Sequence, residues 1–227
     1  MTVKLLHHTP LWVASTAIRK CWASEDKSDS YTQRGPEGEL YIECGQKDKE
    51  LIERVGNKNK HSSTLEHLNY SFDIDGISRA CLQELARHRM ASISVKSTRY
   101  TLKELKNEDS ILEDGYNFFS AQVSKVAPKF LVLTGNSTVD GVSVHNLGML
   151  QRLLKSNASN DVAKYCLPEC YKTSLVWTVN ARALQNFLSL RTDKSALWEI
   201  QDLAREIFKQ LPEEHTYLFV DYVKEKK

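Results

Sequence analysis

The sequence predicts an α+β fold, and three observations predict it. Leu68 to Ile74 and Tyr171 to Val179 alternate apolar and polar residues with the period of a half-buried strand. Other stretches repeat apolar residues at the three- and four-residue steps of a helix face. The two patterns mix without regular β-α-β alternation, which argues against a doubly wound parallel sheet. With 227 residues, 41% of them hydrophobic, nine glycines and five prolines, the chain reads as one globular domain over residues 1–227, and disordered, collagenous and coiled-coil classes are excluded.

Taken in order, Thr9-Pro10 offers a helix cap followed by a first-turn proline, and Leu11, Ala14, Ile18 and Cys21 carry the helix to about Ala23. Residues 25–47 are polar and charged, with Gly35, Pro36 and Gly38 close together, so an exposed connection without core is expected. Asp48 to Val55 reads as a short helix stopped near Gly56. The strand from Leu68 is expected to turn at Asp75-Gly76, after which Ser78 caps a helix carrying Cys81, Leu82, Leu85 and Ala86. That helix delivers Arg87-His88-Arg89 at its C-terminal end, where cations are favoured. Residues 110–157 read as mainly helical, with a polar break at Gly135 to Gly141 and an apolar stripe through Leu147, Leu150, Leu153 and Leu154. The strand through Trp177 is followed by a helical pattern from Asn180. A last helix presents Leu197, Ile200, Leu203, Ala204, Ile207, Phe208 and Leu211 on one side before Pro212.

Thirty-one Lys plus Arg against 29 Asp plus Glu leave a formal charge of +2, too balanced for a broadly basic nucleic-acid surface, so any anion site is local. No segment approaches the ~20 apolar residues of a membrane span, and Met1 to His8 lacks a signal-peptide core, so a soluble, cytoplasmic protein is expected. Five cysteines without a C-x-x-C pair indicate reduced thiols, not a disulfide framework or zinc knuckle. Walker A, G-x-G-x-x-G, EF-hand and H-E-x-x-H patterns are absent, and no metal is expected.

Three polar clusters carry chemistry. Arg87 to Tyr100 combines arginines, Lys96, His88 and hydroxyls able to cradle a phosphorylated small molecule; its alternative is a solvated basic helix end. Arg182 and Asn186 share a helix face with Arg191 just beyond, a set of planar donors for a flat ring such as uracil or flavin, or else a polar surface stripe. His61 to His67 reads as a polar binding loop, since two histidines six residues apart make a poor metal pair. Cys170 lacks a visible basic partner and reads as a buried, inert thiol.

Arg87-His88-Arg89, seven residues and then Ser97 resembles the R-H-R-x7-S signature of the flavin-dependent thymidylate synthases, the ThyX family. The resemblance extends through His61 to His67, Ser97-Thr-Arg99-Tyr100 and Thr178-Val-Asn180-Ala-Arg182 to Trp198-Glu199-Ile200, which is most of the chain. It implies an α+β homotetramer with active sites at subunit interfaces, converting dUMP to dTMP with FAD, methylenetetrahydrofolate and NADPH, without nucleic acid or membrane. By position, Ser63, Arg87, His88, Arg89, Val95, Asn180, Ala181, Arg182 and Asn186 would contact FAD. Glu84, Leu85, Ala86, Arg87, Val95, Lys96, Ser97, Thr98, Arg99, Lys164 and Arg191 would contact dUMP, with Arg191 the catalytic group polarising the uracil ring. Lys164, Glu84, Val95 and Ser195 depart from the family's commonest residues. Two other readings stand beside this one: a non-catalytic RNA or nucleotide-binding module using residues 87–99, and a conventional thymidylate synthase whose nucleophile is Cys170.

Overall fold

The computed structural model describes residues 1–112 and 121–224. Its elements are β1 (Thr2–His8), α1 (Leu11–Cys21), β2 (Tyr31–Arg34), β3 (Leu40–Glu43), α2 (Gln46–Ile52), β4 (Asn69–Ser78), α3 (Arg79–Leu85), β5 (Ala91–Val95), α4 (Thr98–Thr101), α5 (Lys103–Lys106), α6 (Ala121–Phe130), α7 (Ser137–Lys155), α8 (Asn160–Ala163), β6 (Lys172–Asn180), α9 (Ala181–Arg191) and α10 (Trp198–Lys209). The expected α+β mixture is present: one sheet has the order β1-β4-β6-β5, and β2 and β3 form an antiparallel pair. Among the described residues no helix is long and apolar enough to cross a membrane.

The chain divides into two compact units, one of Met1, Ile74–Arg87 and Ser94–Leu175, the other of Thr2–Asp73, His88–Ile93 and Val176–Lys227. In the first, α5, α6 and α7 bury Leu105, Val126, Phe130, Leu147, Leu150 and Leu154. Gln151 fixes the chain entering this core: its amide donates to the carbonyls of Leu105, Glu108 and Asp109, and its carbonyl accepts from Ile111 N–H at 2.9 Å. A buried amide with this many partners avoids the desolvation cost of an unpaired one. The expected polar break is shorter than Gly135 to Gly141, because Asn136 caps α7 and Gly141 lies inside it. Part of the helical stretch expected over 110–157, residues 113–120, lies outside the described residues.

In the second unit the aromatic core Phe72, Trp177 and Phe187 joins the two central strands to α9, with Trp177 5.0 Å from Phe187 between ring centroids. Ile200, Leu203, Ala204 and Ile207 of α10 are buried as their spacing requires, whereas Leu197 precedes the helix and is exposed. Tyr70 Oη lies 2.7 Å from Nδ1 of the fully buried His215, whose pKa burial pushes down to about 3.

Several boundaries differ from the sequence reading. The cap of α1 is Pro10; the Thr9 hydroxyl instead accepts from Asn69 N–H. β4 does not turn at Asp75-Gly76 but runs on to Ser78, Gly76 taking φ +76 within the strand, a conformation open to glycine. Gly56 does not stop α2, which continues as a π-helical turn over Glu53–Lys58. β1 and β5 lie at positions to which the sequence pattern assigns no strand.

The stretch 25–47 holds an exposed hairpin, as expected of a connection, but it is not coreless: Cys44 is buried, and the stretch also organises a buried charge. Asp48 is fully buried, and one of its oxygens accepts from Arg19 Nε at 2.6 Å while the other accepts from Ser28 and Ser30 hydroxyls at 2.6 Å each. Asp29 caps α2 through the N–H groups of Lys47 and Asp48. Gly45 is required there, because a Cβ would stand 2.4 Å from the Asp29 carbonyl oxygen. Burial opposes the charged form of Asp48, but the two serines and Arg19 outweigh it and hold the carboxyl below its usual value. Its stabilisation is therefore complete above the ordinary aspartate pKa of 3.8 and is lost as pH falls through the lower folded value. Asp48→Asn is expected to cost about 3 kcal/mol, since it strands the buried Arg19 charge. Urea unfolding at neutral pH checks this; an unchanged midpoint would show that the pair is dispensable.

Candidate active site

In the first unit, β4 passes into α3 without a loop, and the Ser78 hydroxyl accepts from Cys81 N–H at 3.0 Å as expected. The seven-residue helix buries Cys81 and Leu85 and ends with Ala86 and Arg87 exposed. Beyond β5, Lys96 N–H donates to the Ser174 carbonyl at 2.8 Å, and the Ser97 carbonyl accepts from Tyr100 and Thr101 to begin α4. Arg99 makes a two-pronged bond to Asp161, Nε to Oδ1 at 2.6 Å and Nη2 to Oδ2 at 3.3 Å. Its carbonyl accepts from Asn160 at 2.7 Å. The bond to Arg99, and then the nearby Lys164 ammonium, hold the Asp161 carboxyl below its usual range. Arg99 and Lys164 thus converge, although 65 positions apart in sequence, by way of α8. Lys96 pairs with Glu104 at 2.8 Å, and Lys96 and Thr98 line a cavity of about 290 Å³ with Lys129, Lys172 and Thr173.

In the second unit, β6 passes straight into α9. The Asn180 side chain accepts from Ala183 N–H at 2.9 Å, and Ala181 N–H donates to the Leu68 carbonyl at 2.8 Å. Apolar residues Leu184, Phe187 and Leu188 are buried, so Arg182 and Asn186 share the exposed face. Arg182 pairs with Glu66 at 2.7 Å; Glu66 lies on the 3-10 turn Ser62–His67 that also carries the exposed Ser63. Arg191 closes α9, and its Nε donates to His88 Nε2 at 2.9 Å. Because Nε2 accepts, the proton of the neutral His88 ring is on Nδ1. Phe187 meets that ring edge-on, 5.0 Å between centroids.

The structure therefore joins His88 to Arg191 and the Ser63 turn to Arg182, while Arg87 and Arg89 stand exposed beside them in the chain. Leu85 and Ala181 are fully buried, so their side chains belong to the core and only their main chains can meet a ligand. Val95 is partly exposed at the end of β5, and Glu84 is half-buried on α3. Ser195 donates twice to Asp193, which with Lys224 closes the turn after α9. Cys170 is half-buried against the helical core, less enclosed than expected. Sequence reading missed Asp161, Asn160 and Glu66, the groups that orient Arg99 and Arg182. Only Glu66 stood inside a cluster singled out from the sequence.

Residues 4–215 match the family model described as thymidylate synthase complementing protein, Thy1. The chain belongs to that family. It is 55% identical over 219 residues to the flavin-dependent thymidylate synthase of Wolinella succinogenes, covering 96% of this chain and 97% of that one. The Helicobacter pylori enzyme of the same name (strain 26695) is 51% identical over 225 residues, covering 99% and 100%. A crystal structure of the H. pylori protein with FAD and dUMP superposes with a TM-score of 0.87 at 50% identity, covering 99% of this chain and 100% of that one. This membership overturns the reading of residues 87–99 as the surface of an RNA-binding module and of Cys170 as the centre of a conventional synthase.

The Asn180 side chain caps α9, and substitutions separate that task from any contact with flavin. Asn180→Ala is expected to cost about 1 kcal/mol through the lost cap, whereas Asn180→Asp keeps the cap and regains that stability. Thermal melting reads the cap. Flavin affinity that stays low in Asn180→Asp would show that the amide NH2 group matters apart from folding; wild-type affinity would confine the side chain to capping.

Proposed function

We propose that this chain is a flavin-dependent thymidylate synthase, converting dUMP to dTMP with methylenetetrahydrofolate as one-carbon donor and NADPH as reductant. The observation that carries the reading is the Arg191–His88 bond, which holds the last residue of α9 against the R-H-R motif in a chain of this family. The likeness to the H. pylori protein solved with FAD and dUMP supports both ligands here.

The donor set suits a flavin dinucleotide. Arg89 and Arg182 are exposed guanidinium groups that can take pyrophosphate oxygens, and Asn186 offers an amide from the same face of α9. Ser63, Arg87, His88, Val95, Asn180 and Ala181 complete the proposed FAD contacts, the last through its main chain. FAD, when bound, supplies the redox chemistry that carries reducing equivalents from NADPH to the one-carbon unit. The protein's part is binding, orientation and electrostatics.

For dUMP, Arg99 and Lys164 supply cations for the phosphate. Asp161 takes Nε and Nη2 of Arg99 and so fixes the plane in which its other donors point. Lys164 adds a point charge where many family members have an arginine fork. Lys96, Ser97 and Thr98 follow the edge strand and present main-chain groups, as do Leu85 and Ala86 at the end of α3. Glu84 cannot donate as an amide does, so its part in binding is to line the approach and not to hold phosphate. Arg191 acts on the base: its guanidinium at the polar edge of uracil favours negative charge on the ring and makes C5 nucleophilic without a cysteine adduct. His88, accepting from Arg191 Nε, fixes the rotation of that guanidinium.

The enzyme is further proposed to assemble as a homotetramer with active sites at subunit interfaces. Family likeness supports this, and so does the exposed apolar edge Tyr31, Leu40, Tyr41 and Ile42 on the hairpin. Five free cysteines support a reducing, cytoplasmic setting. Residues 1–227 are read as one functional domain.

The test titrates flavin-stripped protein with FAD, with and without dUMP, and then assays dTMP formation in Arg191→Ala. Saturable FAD binding altered by dUMP is expected. Turnover in Arg191→Ala is expected to fall at least about 100-fold, the scale of losing one oriented charge-stabilising donor, while assembly and FAD binding persist. No FAD binding in the wild type sinks the flavoenzyme reading; near-normal dTMP formation in the variant removes Arg191 from the chemistry.

A further inference from the structure

Where β1 ends, its last residue meets the C-terminal 3-10 turn Glu213–Leu218. Among the described residues, His8, Glu214 and His215 each bring one donor atom to within 4.8 Å of the others. His215 is fully buried, and its Nε2 has no hydrogen-bond partner among the described residues. That atom faces Glu214 Oε1 at 3.7 Å, and the His8 ring stands edge-on to the His215 ring at 5.0 Å between centroids. The other nitrogen of His215, Nδ1, is 2.7 Å from Tyr70 Oη.

Either tautomer of His215 leaves something unsatisfied. If the phenol donates to Nδ1, Nε2 carries a buried N–H without an acceptor; if Nδ1–H donates to the phenol oxygen, Nε2 presents a buried lone pair to nothing. Orphaned buried polar atoms are rare and costly. The second tautomer is the one a metal uses, with the far ring nitrogen donating to an oxygen that orients the ring. A cation at Nε2 satisfies the lone pair.

We propose that His8, Glu214 and His215 form a site for a zinc-class divalent transition metal, with Tyr70 as the positioning residue that fixes the His215 ring. Two imidazoles and a carboxylate match the N/O preference of zinc, and water completes a tetrahedron. Zinc–nitrogen bonds of about 2.0–2.1 Å put tetrahedral ligands about 3.3 Å apart, so the donors close by modest side-chain rotation. His8 is half-buried and Glu214 exposed, and both can make that movement while His215 stays fixed in the core. The second carboxylate oxygen of Glu214 lies 3.4 Å from Lys49 Nζ, so it is Oε1 that serves the metal. The ion ties the end of β1 to the C-terminal turn, and the site shares no residue with those proposed to hold FAD or dUMP.

The test uses the full-length protein, freed of metal by a chelator and titrated with Co²⁺ under visible absorption, with Zn²⁺ as competitor. His8→Ala and Glu214→Ala are compared with the wild type, because both residues are accessible and neither substitution opens the core. His67→Ala is the control. Expected are one Co²⁺ per chain with the intense bands of low coordination number, displacement by Zn²⁺, and affinity at least about tenfold lower in His8→Ala and Glu214→Ala but unchanged in His67→Ala. Tyr70→Phe is expected to weaken binding while leaving the band positions in place. Zn²⁺ is expected to raise the melting temperature of the wild type and not of His8→Ala. The proposal is overturned by the lack of saturable uptake, by thiolate charge-transfer bands that put the ion on cysteine, or by affinity unchanged in both ligand variants.

Discussion

Two buried strands that run directly into helices fix where α3 and α9 begin. At the end of β4 the Ser78 hydroxyl, and at the end of β6 the Asn180 side chain, accept from the first turn of the following helix. With no loop between strand and helix, the start of each helix is as fixed as the strand before it. Tyr70, Phe72 and Trp177 leave those strands no room to shift, being fully buried. In the second unit Ala181 N–H is also bound to the Leu68 carbonyl, so α9 begins from a point held on two sides. Eleven residues of helix, about 16 Å at 1.5 Å each, then carry that fixity from Asn180 to Arg191.

This arrangement explains which parts of the fold are legible in sequence. The central strands and the caps announce themselves because burial writes a period-two pattern and a cap must be Ser, Thr, Asp or Asn. The outer strands do not. β1 has residues half-buried at best, and β5 alternates half-buried Ala91 and Ile93 with exposed Ser92 and Ser94 beside a run of basic residues that dominates its appearance. Gly76 misleads for a different reason: glycine in a strand pattern marks a turn or an irregularity within the strand, and here it is the second. The network around Asp48 is invisible to periodicity altogether. Serines 28 and 30, Asp29 and Arg19 gather round it through hydrogen bonds, which impose no spacing on the sequence.

The site follows the same division. Residue types were legible segment by segment, since an R-H-R run at a helix end or an arginine and an amide four apart on a helix are local features. Their pairings were not, because tertiary structure makes them: Arg191 and His88 are 103 positions apart, Arg182 and Glu66 are 116, and Arg99 and Asp161 are 62. The two exposed ion pairs among these, Arg182–Glu66 and Arg99–Asp161, add little to stability. What they add is orientation. A guanidinium already held by a carboxylate has less side-chain freedom to lose when a phosphate arrives, which leaves more of the contact energy for binding.

Each of these segments also switches between two kinds of constraint within one or two residues. Leu85 is fully buried and Arg87 exposed; Ala181 is buried and Arg182 exposed; Thr98 is buried and Arg99 exposed; Phe187 is buried and Asn186 exposed. The buried member anchors the backbone to the core, and the exposed member inherits a position that its own long side chain could not define. A change at a buried member therefore moves its exposed neighbour as well as costing stability. A change at an exposed member alters charge and shape at constant backbone, and folding is kept. Arg191 shares both conditions, half-buried at the end of α9 and bonded to a ring that packs on Phe187. Its guanidinium is oriented by the core itself, which is what a charge must have if it is to act on a ligand without first reorganising.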